Sequence, residues 1–340
     1  MIWRRGSKGG EDAGGGDSDG HLEGRVNDLL GRARAAGGRG DLDSQARLSA
    51  EAMEVCRTLV GRWPDDPRHA AALAGGLYNH AYRLIQTSRL TEASEALDES
   101  ARHYSALAAN NPRRYATTLC DVRLRVALVL LMEGRYDQAV TGARGVVTAY
   151  EAISQGDPRE RDFGLVRTHT LIGRALLLGG HPGEALEEFD TALFAAERLR
   201  EQAGITGTDF AWLAVAPESF RQAAPEWLGA AVAAMELHDA AGKWAIAADA
   251  ANVAMRVAGG LAALGDATAR ARFEAIMARA QEIWRAAENP IRAAGERSRP
   301  TDEFMVSAAG IVRGPRLEPD LARISRLAGW GPSPPSPGRL

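Results

Sequence analysis

The chain has 340 residues, 45% of them hydrophobic, 25% charged and only 6% aromatic, with a formal net charge of −3 and a pI near 6.2. That balance offers no general attraction to phosphate backbones or anionic lipid, so neither nucleic acid nor a membrane surface is an expected partner. Two cysteines, Cys56 and Cys120, make neither a disulfide framework nor a zinc spacing, and no apolar run approaches the roughly 20 residues that span a bilayer; a cytoplasmic chain is expected.

Residues 1–20 are rich in Gly and charge, with too little apolar surface to offset the entropy of ordering, and are predicted to be disordered. No apolar stretch follows Arg4, Arg5 and Lys8, so no export signal is expected. Over 21–67 the positions Glu51, Ala52, Met53, Cys56, Leu59 and Pro64 match a later helix, and His21 to Ala36 would be its partner in a degenerate hairpin.

From residue 68 to 200 a pattern recurs at a step of 46 residues. Ser88-Arg89-Leu90-Thr91-Glu92-Ala93 returns as Gly134-Arg135-Tyr136-Asp137-Gln138-Ala139 and as Gly180-His181-Pro182-Gly183-Glu184-Ala185. Leu73, Leu119 and Leu165 keep the same step, as do Leu84, Leu130 and Leu176, and a small residue recurs at Ala81, Ala127 and Gly173. A fixed period in the 20 to 50 range marks stacked units that cannot bury their apolar faces alone. Within one unit Leu73, Leu77, Ala81, Leu84 and Ile85 form a helical stripe, and Ala93, Leu97, Ser100, Ala101, Tyr104 and Leu107 a second, so each unit is predicted to be a helical hairpin.

Over 201–289 the period breaks. Trp227 to Leu237, followed by the stripe Ala250, Ala251, Ala254 and Val257, predicts a further hairpin, and Phe273, Ile276, Met277, Ala280 and Trp284 a capping helix. Residues 290–316 read as a linker. Residues 317–340 combine a short stripe of Leu321, Ile324 and Leu327 with a Pro-rich end, a segment able to fold back into the groove as an autoinhibitor.

No catalytic, nucleotide-binding or metal motif is present, so no enzyme activity, metal or cofactor is expected. Glu236, His238 and Asp239 lie close in sequence but read as solvated surface, and His80 as a packed structural residue. An enzyme with its site in residues 201–316 is the least favoured reading, because no acid, base and nucleophile converge there by spacing. The first-helix faces that do not pack on second helices carry Tyr78, Asn79, Tyr82 and Gln86, then Asp121, Arg125 and Met132, then Arg167, Thr170 and Arg174. A face that is polar, aromatic and cationic suits an acidic or C-terminal peptide, since Arg forks match carboxylates and Tyr gives contact area at low entropic cost.

The run from Leu77 through Tyr-Asn-His-Ala, the Ser-Arg-Leu turn and the Tyr104 and Asn111-Pro112 positions resembles the long-unit tetratricopeptide repeats of bacterial multi-repeat proteins, over residues 68 to about 200. The resemblance implies an all-α, right-handed superhelix (solenoid) of antiparallel helical hairpins, whose first helices line a concave groove that holds peptides or other proteins. Some relatives clamp two carboxylates with Lys, Asn and Arg; Arg125 and Arg167 fall at matching places, but Tyr78 and Tyr82 stand where Lys and Asn would be. A protein-interaction scaffold is therefore the expected function, with a ligand-responsive regulatory sensor as the alternative.

Overall fold

The structure is a computed structural model that describes residues 16–153, 158–205, 213, 216, 218–265, 267–289, 305–306, 312–313 and 319–330. It divides into two compact units, Met1–Glu133 and Gly134–Leu340. The first holds α1 (Gly16–Gly38), α2 (Leu42–Arg62), α3 (Pro67–Gln86), α4 (Leu90–Asn110) and α5 (Pro112–Met132). The second holds α6 (Tyr136–Ile153), α7 (Pro158–Leu178), α8 (Pro182–Gln202), α9 (Glu218–Ala240), α10 (Trp244–Ala263), α11 (Ala267–Glu288) and α12 (Leu321–Ala328). The chain is all-α in architecture and built of consecutively packed antiparallel helical hairpins: α1 on α2, α3 on α4, α7 on α8, α9 on α10.

Local chemistry explains where the helices start. Asp66 accepts a hydrogen bond from the Arg68 backbone N–H at 2.8 Å ahead of Pro67, and Asn111 accepts from Arg114 N–H ahead of Pro112. A side-chain cap followed by proline satisfies one orphan donor and removes another. The hairpin turns need a left-handed residue, which glycine supplies at Gly134 (φ 76°) and Gly180 (φ 87°), whereas Ser88 adopts φ 57° at the matching place. Exposed Ser88 carries a Cβ where glycine carries none, so Ser88→Gly is expected to stabilise the chain by about 1 kcal/mol in a urea titration.

The predicted stripes form the core of the first unit. Leu73, Leu77, Ala81 and Leu84 of α3 are buried against Ala93, Leu97, Tyr104 and Leu107 of α4, while Ile85 is only partly buried. Buried Ser100 donates to the Ala74 carbonyl at 2.8 Å, which satisfies its hydroxyl across the helix pair. In the second unit a Cβ on Gly173 would lie 2.8 Å from the Phe189 ring, so the small position sets a close helix approach there. Both cysteines are buried, and burial raises the Cys56 thiol to about 11, leaving it unreactive at neutral pH.

Three features differ from the sequence reading. Helix α1 begins at Gly16, inside the stretch whose composition predicts disorder; residues 1–15 lie outside the described residues. Within 290–316, Met305–Val306 pairs antiparallel with Val312–Arg313. Most consequential is α9, which is covered on every side: Ala230 to Met235 are all fully buried, because α7, α8, α10 and α12 all pack on this one helix.

Candidate functional site

In the first unit, α3 turns its Leu73–Leu77–Ala81–Leu84 stripe inward and thereby presents Asn79, Tyr82 and Gln86 away from the core; Tyr82 is 49% exposed. Tyr78 is half-buried on the edge of the core. Arg125 reaches this group from α5. Its guanidinium lies 4.6 Å from the Tyr78 ring centre and 5.1 Å from that of Tyr82, and its Nη2 donates to the Tyr78 hydroxyl at 2.9 Å. Two such cation–π contacts, each worth about 0.5–2 kcal/mol, hold the fork in place without neutralising it. Asp121 and Met132 flank it on α5, both partly buried.

A further cation on α3 escaped the sequence reading. Arg83, half-buried, has its guanidinium pKa lowered by burial and by the charge of Arg34 on α1. Its Nη1 meets no hydrogen-bond partner among the described residues. A buried donor facing a like charge is the electrostatic condition an anionic group relieves. The i, i+4 relation of Arg83 to Asn79 is the signal that would have placed it beside that face.

His80, also on α3, is structural. Its Nδ1 shares a 2.7 Å hydrogen bond with Ser49 Oγ, and burial lowers its pKa to about 4. An unfolded histidine takes up a proton near pH 6.5 that the folded one refuses until about pH 4. The contribution of neutral His80 is thus complete above pH 6.5 and lost as pH falls through that window. Urea midpoints at pH 7.5 and 5 should show a larger acid loss for wild type than for His80→Gln.

The second unit departs from expectation. Arg167 is partly buried, with its guanidinium 5.2 Å from the Phe163 ring centre. Thr170, expected on an open face, is only 4% exposed; its hydroxyl donates to the Val166 carbonyl at 2.7 Å, and α9 covers it. Arg174 is covered too, by a segment 156 residues away: its Nη2 donates to the Trp330 carbonyl at 2.8 Å and its guanidinium lies 5.3 Å from the indole. Burial lowers its pKa to about 10. The three residues share a helix, not an exposed surface.

Glu236, His238 and Asp239 are likewise not solvated. Glu236 is 1% exposed and takes a two-point ion pair from Arg279, with Nε to Oε1 at 2.7 Å and Nη2 to Oε2 at 3.0 Å, while Arg279 Nη2 also reaches Asp239 Oδ2 at 2.5 Å. Burial opposes the Arg279 charge, but the carboxylates overcome it and raise its pKa. Residues three apart on a helix share a face, so 236 and 239 point the same way although 238 does not. His238 Nε2 lies 3.1 Å from Asp190 Oδ1 beside an open cleft of about 540 Å³ that includes Leu186, Lys243 and Pro319. Another buried carboxylate, Asp162, accepts from Arg161, Arg198 and Gln202 at 3.0, 2.7 and 2.7 Å.

Among the described residues no cluster of three or more His, Cys, Asp or Glu is placed to hold a metal ion, and no helix is long and apolar enough to cross a membrane. No protein-family model matches the chain, and no curated protein matches it in sequence. Among solved structures it is similar to a kinesin-light-chain-like protein of nearly identical TPR-like repeats from Podosopora anserina, at 13% identity over 68% of this chain and 94% of that one, with a TM-score of 0.44. It is similar also to a thermophilic TPR protein of Thermus thermophilus (15% identity, 74% and 98% covered, TM-score 0.36). A third is BtubC of P. vanneervenii (12% identity, 84% and 96% covered, TM-score 0.40). The hairpin architecture itself rests on the helices and packing described above.

Proposed function

We propose that the chain is a protein-interaction scaffold whose first unit receives an acidic segment of a partner protein on the face built by α3 and α5. The observation that carries this reading is Arg125 held against two tyrosines, one of them half exposed, with the uncompensated Arg83 on the same helix as those tyrosines. A fork fixed by aromatic rings loses little freedom when a carboxylate pairs with it, and Asn79 and Gln86 can bond an extended backbone. The buried thiols Cys56 and Cys120 suit work in the reducing cytoplasm.

Fluorescence anisotropy with a labelled Glu-rich dodecamer tests this. Wild type should bind it with an affinity that falls as salt rises, and Arg125→Glu and Tyr82→Ala should each weaken it at least about tenfold with unchanged circular dichroism. Equal binding by wild type and Arg125→Glu would overturn the assignment.

A further inference from the structure

The element that covers Arg174 has the composition of a ligand. Helix α12 carries an apolar edge, with Ile324 and Leu327 buried and Leu321 exposed at its first turn, against α9 and α11. Its polar edge sends Arg323 Nη2 to Glu236 Oε2 at 2.6 Å. Gly329, at φ 74°, then turns the chain so that Trp330 stacks on Phe189 at 5.8 Å between ring centres. The indole lies directly over Gly229 of α9, where an added Cβ would come 2.6 Å from Nε1.

This contact is imperfect in a telling way. Both oxygens of Glu236 accept from Arg279 of α11, and Oε2 accepts from Arg323 of α12 as well, so this end of the seat is well satisfied. Arg174, by contrast, is partly buried beneath Trp330; among the described residues it has one neutral carbonyl as its hydrogen-bond acceptor, and its buried Nε has no partner, nor has Arg323 Nε. Covering a guanidinium with a single neutral acceptor leaves desolvation only partly offset. A carboxylate in place of the Trp330 carbonyl would offer Arg174 two charged oxygens in fork geometry. In this chain the backbone continues past Trp330 to Leu340, so its own segment can present only the neutral peptide carbonyl.

We propose that this seat on the second unit is a binding site for the C-terminus of a partner protein, a short amphipathic helix with an Arg on its polar edge that ends in Gly-Trp or Gly-aromatic with a free α-carboxylate. Residues 320–330 are its resident stand-in, displaced when the better-matched ligand arrives. A second copy's identical segment is disfavoured as occupant: tethering gives the chain's own segment an effective concentration on the order of millimolar, which an equal competitor in trans does not overcome. The site lies in the other unit from the acidic-segment face and stands or falls separately from it.

The test uses two labelled peptides of residues 317–330, one with a free C-terminal carboxylate and one amidated, titrated against the full chain and against a chain cut at a protease site placed within residues 291–300. The acid form should bind at least about tenfold more tightly than the amide to both, with tighter binding after cutting. Arg174→Gln should abolish the difference between the two forms. Gly229→Ala, which favours the helix but blocks the indole, should abolish binding of both while circular dichroism stays native. Absence of binding to the cut chain, or equal binding of acid and amide to it, would overturn the proposal.

Discussion

Arg279→Ala is expected to destabilise the second unit by about 3–5 kcal/mol, read as a lowered urea midpoint and melting temperature. Arg279 is 8% exposed, and the carboxylates it serves, Glu236 and Asp239, are 1% and 5% exposed. Removing the guanidinium leaves two acids in the interior, with Arg323 the remaining cation on Glu236 among the described residues. The exposed pair Arg89–Glu92 is similarly short at 2.6 Å but 42% and 52% exposed, and its loss should cost no more than about 1 kcal/mol. Burial, not distance, separates the two cases. Arg279→Lys should fall between wild type and Ala, because an ammonium keeps the charge but not the two-point geometry. A change below about 1 kcal/mol for Arg279→Ala would mean that the network is open to water.

Phe189→Ala should cost a comparable amount, about 3–5 kcal/mol, for a different reason. Phe189 has no exposed surface; a Cβ on Gly173 would sit 2.8 Å from its ring, and Trp330 stacks on the other side at 5.8 Å. Truncation removes the apolar surface, opens a cavity between helices held apart by the ring, and takes away the platform of the indole. Trp330→Ala removes the stack and the indole's cover of Arg174 and Gly229 but opens no cavity at Phe189 between α7 and α8, so it should cost clearly less than Phe189→Ala in the same urea titration. Equal costs would contradict the cavity between α7 and α8 as the larger part of the Phe189 contribution.

What the sequence made legible is local. The helical stripes of α3 and α4 follow from apolar residues at three- and four-residue spacing, and Leu73, Leu77, Leu84, Leu97 and Leu107 are buried as that spacing requires. Tyr78, Tyr82 and Arg125 were also readable, because the side of a first helix opposite its stripe faces outward unless something covers it. The second unit shows where that logic ends. An amphipathic pattern identifies the apolar face but says nothing about a later element arriving on the polar one. Thr170 is covered by α9, Arg174 by Trp330, and Glu236 by partners 43 and 87 residues away. The spacing of Glu236 and Asp239, matched by Arg279 and Glu282 three residues apart on α11, was a visible sign of facing charged pairs; burial of α9 from Trp227 to Asp239 decides that they form an interior network.

A charge-swap titration tests the proposed scaffold most directly. Wild type and Arg125→Glu are each titrated with a Glu-rich dodecamer and with the same peptide carrying Lys at every Glu, both proteins first matched by circular dichroism. The account predicts that wild type prefers the acidic peptide and that Arg125→Glu loses it while gaining the basic one. An unchanged preference in the variant, or no preference in wild type, would contradict a partner site at Arg125.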